Sequence, residues 1–149
     1  MLERSRASRA TQGSTLIVSL HVATGAAGGA LVGSRRRSIL LGVLLHLAGD
    51  RMPHQDIGDR RFEIGSGIAA VLLLALVRGP SDPAVTGALA ASSPDLEHVL
   101  RLPRPRGRKL FPSHRFRGWH RGGGVPAWAQ LLAAGVLIGS VLRPRPALP

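Results

Sequence analysis

Residues 93–120, SPDLEHVLRLPRPRGRKLFPSHRFRGWH, hold two carboxylates and three of the six histidines in the chain. A neutral imidazole nitrogen binds a divalent ion and a carboxylate adds a hard oxygen that cancels charge, so this mixture suits zinc, with manganese as the second candidate. Asp95 and His98 stand one helical turn apart and point the same way if the segment is helical, while His114 and His120 must be returned by the loop. A second constellation lies upstream in HLAGDRMPHQD. His46 and Asp50 are i,i+4 neighbours there, Pro53 ends the helix, and His54 and Asp56 follow as further candidates. The chain has no cysteine, so any ion must be held by nitrogen and oxygen.

The elements that position these groups are read from the apolar runs. The 149 residues suit one domain; aromatics make up only 3%, and the apolar residues are gathered in Leu, Val, Ile and Ala stretches. The net charge of +12 is carried by arginines clustered between those stretches, as in juxtamembrane loops. Nucleic acid is not expected as a partner, because Phe111, Phe116 and Trp119 are the only stacking residues in the basic loop and no reader motif accompanies them. These features predict an all-α integral membrane bundle of four to five helices. Residues 1–13 form a basic tail, 14–142 the membrane domain with its basic loop at 93–121, and 143–149 a disordered tail. The runs fall at 14–33, 38–50, 64–77, from 84 to near Pro94, and 125–142, the second being short for a span. Gly25, Gly29 and Gly33 continue a row that starts at His21, a small-residue stripe on which another helix can pack closely. With five spans, fourteen of the twenty basic residues fall on one side, which places the N-terminus in the cytoplasm of a multi-pass inner-membrane protein. His46, His54, His98, His114 and His120 then emerge at one face, and His21 lies in the nearer half of the first helix.

PDLEH at Pro94 to His98 and SHRFRGWH at Ser113 to His120, with His21 and the elements around His46 to Asp56, resemble a family of small multi-spanning inner-membrane metal-dependent hydrolases. Its motifs are PD-x-[DE]-H and a later His-Arg…His pair. The resemblance covers most of the chain in layout and about twenty positions in identity. It implies a divalent-metal site with hydrolase activity, built from Asp95, Glu97, His98, His114 and His120. The His114 to His120 gap is one residue longer than in the family, and Trp119 stands where Thr is usual.

Together these observations suggest metal-assisted hydrolysis of an ester or phosphoester at the cytoplasmic membrane surface. His46, Asp95, His98 and His114 would be ligands, with Asp50 as a fourth or second-metal ligand and His120 joining from the motif. Glu97 would be the general base, and Asp95 is also placed in the catalytic set. His21, His54 and Asp56 form a second tier. Arg115 or Arg117 could hold a phosphate or lipid headgroup, so membrane lipids and an amphiphilic phosphoester are the expected partners. The rival is a non-catalytic membrane protein that binds anionic lipid or a partner through its basic loop. Each acid also has a structural use: Asp95 and Glu97 as a helix cap and a partner for Arg101, Asp50 and Asp56 as counter-charges to Arg51, Arg60 and Arg61.

Overall fold

The computed structural model describes residues 18–55, 57–116, 118–119 and 123–143. The expectations for residues 1–13, Asp56, Arg117, His120 and the last six residues lie outside them. Five long helices occupy the five apolar runs: α1 (Val18–Val32), α2 (Arg35–Arg51), α3 (Arg60–Arg78), α4 (Pro83–Ser92) and α7 (Ala127–Leu142). Between α4 and α7 lie a 3-10 turn at Ser93–Asp95 and two single-turn helices, α5 (Leu96–Val99) and α6 (Pro112–Arg115). The described residues contain no strand, only an isolated bridge between His54 and Val125.

The ends of these helices follow from local chemistry. Asp59 caps α3 by accepting from the Arg61 and Phe62 amides, and Asp82 caps α4 by accepting from Ala84, with Pro83 at the first helical position. The cap places Arg78 3.0 Å from Asp82, closing the α3–α4 turn.

The membrane assignment is overturned. Among the described residues no helix is long and apolar enough to cross a bilayer. The 17-residue α2 begins with three arginines and ends with Asp50 and Arg51. At 19 residues α3 is the longest, but it carries Arg60, Arg61 and Glu63 in its first turns and Arg78 in its last. The transmembrane bundle, the topology count and the inner-membrane placement with a cytoplasmic N-terminus therefore lose their premise.

The packing is centred on α4, which lies against both α1 and α2. Gly87 stands where the three helices meet. A Cβ at Gly25 would overlap the Gly87 carbonyl and the Ala91 methyl, and a Cβ at Gly42 would lie 2.7 Å from the same carbonyl. The row from His21 through Gly25 to Gly29 thus packs on α4, whereas Gly33 follows α1 at φ +62° in open space. A buried cluster of Val22, Ala26, Leu74, Ala84, Val85, Ala88 and Val141 fills the space among α1, α3, α4 and α7. One turn from the glycine contact, at the opposite end from Gly29, the same helices bring polar side chains together.

Candidate metal centre

Side chains one turn beyond this backbone contact converge in a buried space. His21 precedes Gly25 by one turn on α1, His46 follows Gly42 by one turn on α2, and Asp95 lies eight residues beyond Gly87 in the 3-10 turn that follows α4. His21, His46 and Asp50 are fully buried, and Asp95 and Glu97 nearly so. The loop after α5 then returns α6, which inserts His114 between Asp50 and Asp95.

Contacts between the facing atoms are short and of one kind. His21 Nε2 lies 3.2 Å from Asp50 Oδ1, and His46 Nε2 lies 3.0 Å from Asp50 Oδ2. His114 Nε2 lies 3.5 Å from Asp50 Oδ2 and 3.6 Å from Asp95 Oδ1. The outer nitrogens fix the tautomers: His46 Nδ1 donates to the Ala91 carbonyl at 2.8 Å, and His114 Nδ1 donates to Glu97 Oε1 at 2.5 Å. With the proton on Nδ1, each Nε2 presents a lone pair inward, toward carboxylate oxygens that are also acceptors. Neither His46 Nε2 nor either Asp95 oxygen has a hydrogen-bond partner among the described residues. Acceptor facing acceptor in a buried space is unfavourable unless a cation or added protons lie between them.

The spacing fits an ion. Ligands about 2.0–2.1 Å from a tetrahedral zinc stand about 3.3–3.4 Å from one another, and the contacts run from 3.0 to 3.6 Å. Three groups of side chains could hold a metal: His21, His46 and Asp50; His46, Asp95 and His114; and Glu97, His98 and His114. The first two share His46.

In the metal-free chain, added protons would serve instead. Burial alone would raise the Asp50 carboxyl, but the imidazoles of His114, His21 and His46 outweigh it and hold the group far below the ordinary carboxylate range. Burial and the charge of Asp50 raise Asp95, with His21, His46 and His114 acting against them. His46 is raised because Asp50, Asp95 and the Ala91 carbonyl together exceed the burial that would lower it. Glu97 is lowered: burial opposes ionisation, but the Leu110 amide, 2.7 Å from Oε2, and His114 prevail.

The sequence candidates are distributed as follows. His46, Asp50, Asp95 and His114 come together, and His21 joins them at the centre. Glu97 lies behind His114 and grips its outer nitrogen. His98, half-buried, stacks edge-on to His114 with ring centroids 4.2 Å apart. His54 is buried but belongs to another junction: its Nδ1 donates to the Met52 carbonyl, and its segment pairs with Val125 while Gln130 bonds the Gln55 carbonyl. It is in none of the three groups. Arg115 is exposed on α6 with its guanidinium over Phe116. His120, Asp56 and Arg117 are outside the described residues.

Sequence reasoning missed Lys109, Arg60 and Ala91. Lys109 Nζ lies 3.1 Å from His98 Nδ1, and Arg60 Nη2 donates to the His98 carbonyl at 2.6 Å. Burial and the charge of Arg104 lower the Lys109 ammonium, against Glu97 and Asp95. Nothing in the basic run marked Lys109 apart. The Ala91 carbonyl was legible only through its place one turn before Asp95.

Comparison with known protein families, characterised proteins and solved structures finds no match for the chain.

Proposed function

We propose that the protein is a metal-dependent hydrolase acting on an ester or phosphoester, with zinc the favoured ion and manganese the second candidate. One observation carries the proposal: in a buried site, Nε2 lone pairs and carboxylate oxygens face one another at the edge length of a zinc tetrahedron. Structural zinc sites are usually closed by four ligands, whereas this one has five candidate side chains and lies beside a solvent-facing cleft.

His21, His46, Asp50, Asp95 and His114 would hold the ion. When bound, a divalent ion polarises the scissile bond and acidifies water. Glu97 orients His114 and raises the basicity of its Nε2, a carboxylate–histidine arrangement in keeping with bound metal. Because Glu97 engages Nδ1, Nε2 of His114 is the nitrogen that would meet the ion, and it faces Asp50 and Asp95 rather than His98. His98, edge-on to His114 on the cleft side, would take the part of the base. Water oxygen bonds to the acyl carbon or phosphorus, the bond to the leaving oxygen breaks, and the proton released by water passes through His98 to that oxygen.

The test is elemental mass spectrometry on purified wild type beside Asp50→Ala, His114→Ala and His98→Ala. Zinc or manganese near one equivalent is expected in wild type and His98→Ala and is lost in the other two. Chromogenic phosphate and carboxylate esters are then hydrolysed by wild type and at least 100-fold more slowly by His98→Ala. A folded wild type that stays metal-free after incubation with either ion sinks the proposal. So does metal-loaded protein that hydrolyses none of these esters.

A further inference from the structure

The single-turn helix α5 separates two depressions of opposite character. Leu96 and Val99 share one face by their i,i+3 spacing and line a groove of about 320 Å³ between α1, α3 and α4. Val22, Gly67, Val71, Leu72 and Leu89 are among its wall residues; Ser92 and Ser93 also line it, its exposed surface is almost wholly apolar, and Asp95 is the only charged residue in it. Glu97 and His98 face the other way, into a cleft of about 580 Å³ rimmed by Arg60, Arg101 and Arg104. Val99 lines both. The apolar groove therefore abuts Asp95, whose carboxylate oxygens are buried, the basic cleft abuts Glu97 and His98, and the two share Val99.

Each half calls for a different part of one ligand. A groove whose exposed surface is almost wholly apolar favours a hydrocarbon chain, and three guanidiniums with one acid among them favour an anion, phosphate above all. We infer that the substrate is an anionic amphiphile, with a linear alkyl or acyl chain in the Val71–Leu89 groove and a phosphate-bearing head in the Arg60–Arg101–Arg104 cleft. Its scissile ester then lies at Val99, where groove and cleft meet, beside His98. This assignment rests on the hydrolase reading of the same site and moves anion recognition from Arg115, which is exposed over Phe116, to the arginines of the cleft.

The experiment is calorimetric titration of the zinc-loaded full chain with inorganic phosphate, butyl phosphate and octyl phosphate, the last below its micellar concentration. Each methylene entering the groove tightens binding by about fourfold, so octyl phosphate should bind up to about 200-fold tighter than butyl phosphate, at one molecule per chain. Leu72 and Leu89 are half-exposed, so Leu72→Trp and Leu89→Trp narrow the groove without overpacking the core. They should weaken octyl phosphate about tenfold and leave inorganic phosphate unchanged. Arg101→Glu combined with Arg104→Glu should weaken all three ligands. Leu132→Ser alters an exposed leucine on α7 outside the groove and should change nothing.

Equal affinity for butyl and octyl phosphate overturns the inference, as does an octyl preference lost equally in Leu132→Ser, which would mark general adsorption. An unaltered octyl preference in both Trp variants, or unaltered binding after charge reversal, also overturns it. Metal content measured in the same samples separates the two proposals. A metal-free chain that still prefers octyl phosphate keeps the groove and sinks the hydrolase, and a zinc-loaded chain without that preference does the reverse.

Discussion

At the scale of single residues, the site is defined by which nitrogen of each imidazole is already engaged. His46 and His114 give their Nδ1 protons to Ala91 and Glu97, so their Nε2 atoms are committed to the interior. Ala91 does this with a backbone carbonyl that no side-chain substitution removes, which leaves Glu97 as the adjustable partner. Glu97→Gln keeps the size and loses the charge that supports His114. Metal affinity should fall about 10- to 100-fold while the stoichiometry at saturation stays the same. Asp50→Ala should instead abolish binding, because Asp50 touches three imidazoles. Competition against a chelating dye distinguishes the two. Equal losses would show Glu97 to be a ligand rather than a positioning group.

At the scale of elements, three helices approach to backbone contact at Gly87, and the ligands hang one or two turns beyond. Gly87→Ala would place a methyl against the Gly25 carbonyl, where backbone rather than a flexible side chain must give way. The expected loss is about 1–3 kcal/mol in denaturant unfolding, with weakened metal binding because His21 and His46 move apart. Gly135 on α7 is the counterexample: it is exposed, helical and meets nothing within 4 Å. Gly135→Ala should raise stability by about 0.5–1 kcal/mol and leave the metal untouched. The glycine row was legible in the sequence because small residues four apart make one helical stripe, and it carried His21 with it. That His21 is central rather than secondary was not legible, since its partner Asp50 on α2 is brought to it only by the packing of α1 against α2. Helix existence was also legible, whereas the membrane class was not. The apolar runs were measured without the arginines and acids that the helices themselves include, such as Arg35–Arg37 in α2 and Arg60, Arg61 and Glu63 in α3. His54, like the pairing of Gln130 with residue 55, depends on chain segments about 75 residues apart, beyond any local pattern.

For the whole molecule, two carboxylates and three imidazoles are buried together, so folding, protonation and metal binding are one linked equilibrium. The signs can be worked out for the metal-free chain. His46 has a raised folded value, so its stabilisation is full below the ordinary imidazole value of 6.5 and is lost as pH rises through the raised value. Asp50 and Glu97 are lowered, so their stabilisation is present above the ordinary carboxylate range and lost as pH falls through their depressed values. Metal-free protein should therefore be most stable in mildly acidic solution and weaken toward pH 8. Added zinc reverses that slope, because an ion replaces the protons between the acceptors and binds more tightly as His46 loses its proton. At free zinc about 100 times its dissociation constant, the gain is about 2.7 kcal/mol, or about 5–10 °C in Tm for a domain of this size. Scanning calorimetry from pH 5.5 to 8, with zinc or with chelator, should show the two curves diverging as pH rises and coinciding in Asp50→Ala. Curves that stay together at every pH would mean that protonated imidazoles satisfy the carboxylates by themselves, and that the cluster is an ion-pair network rather than a metal centre.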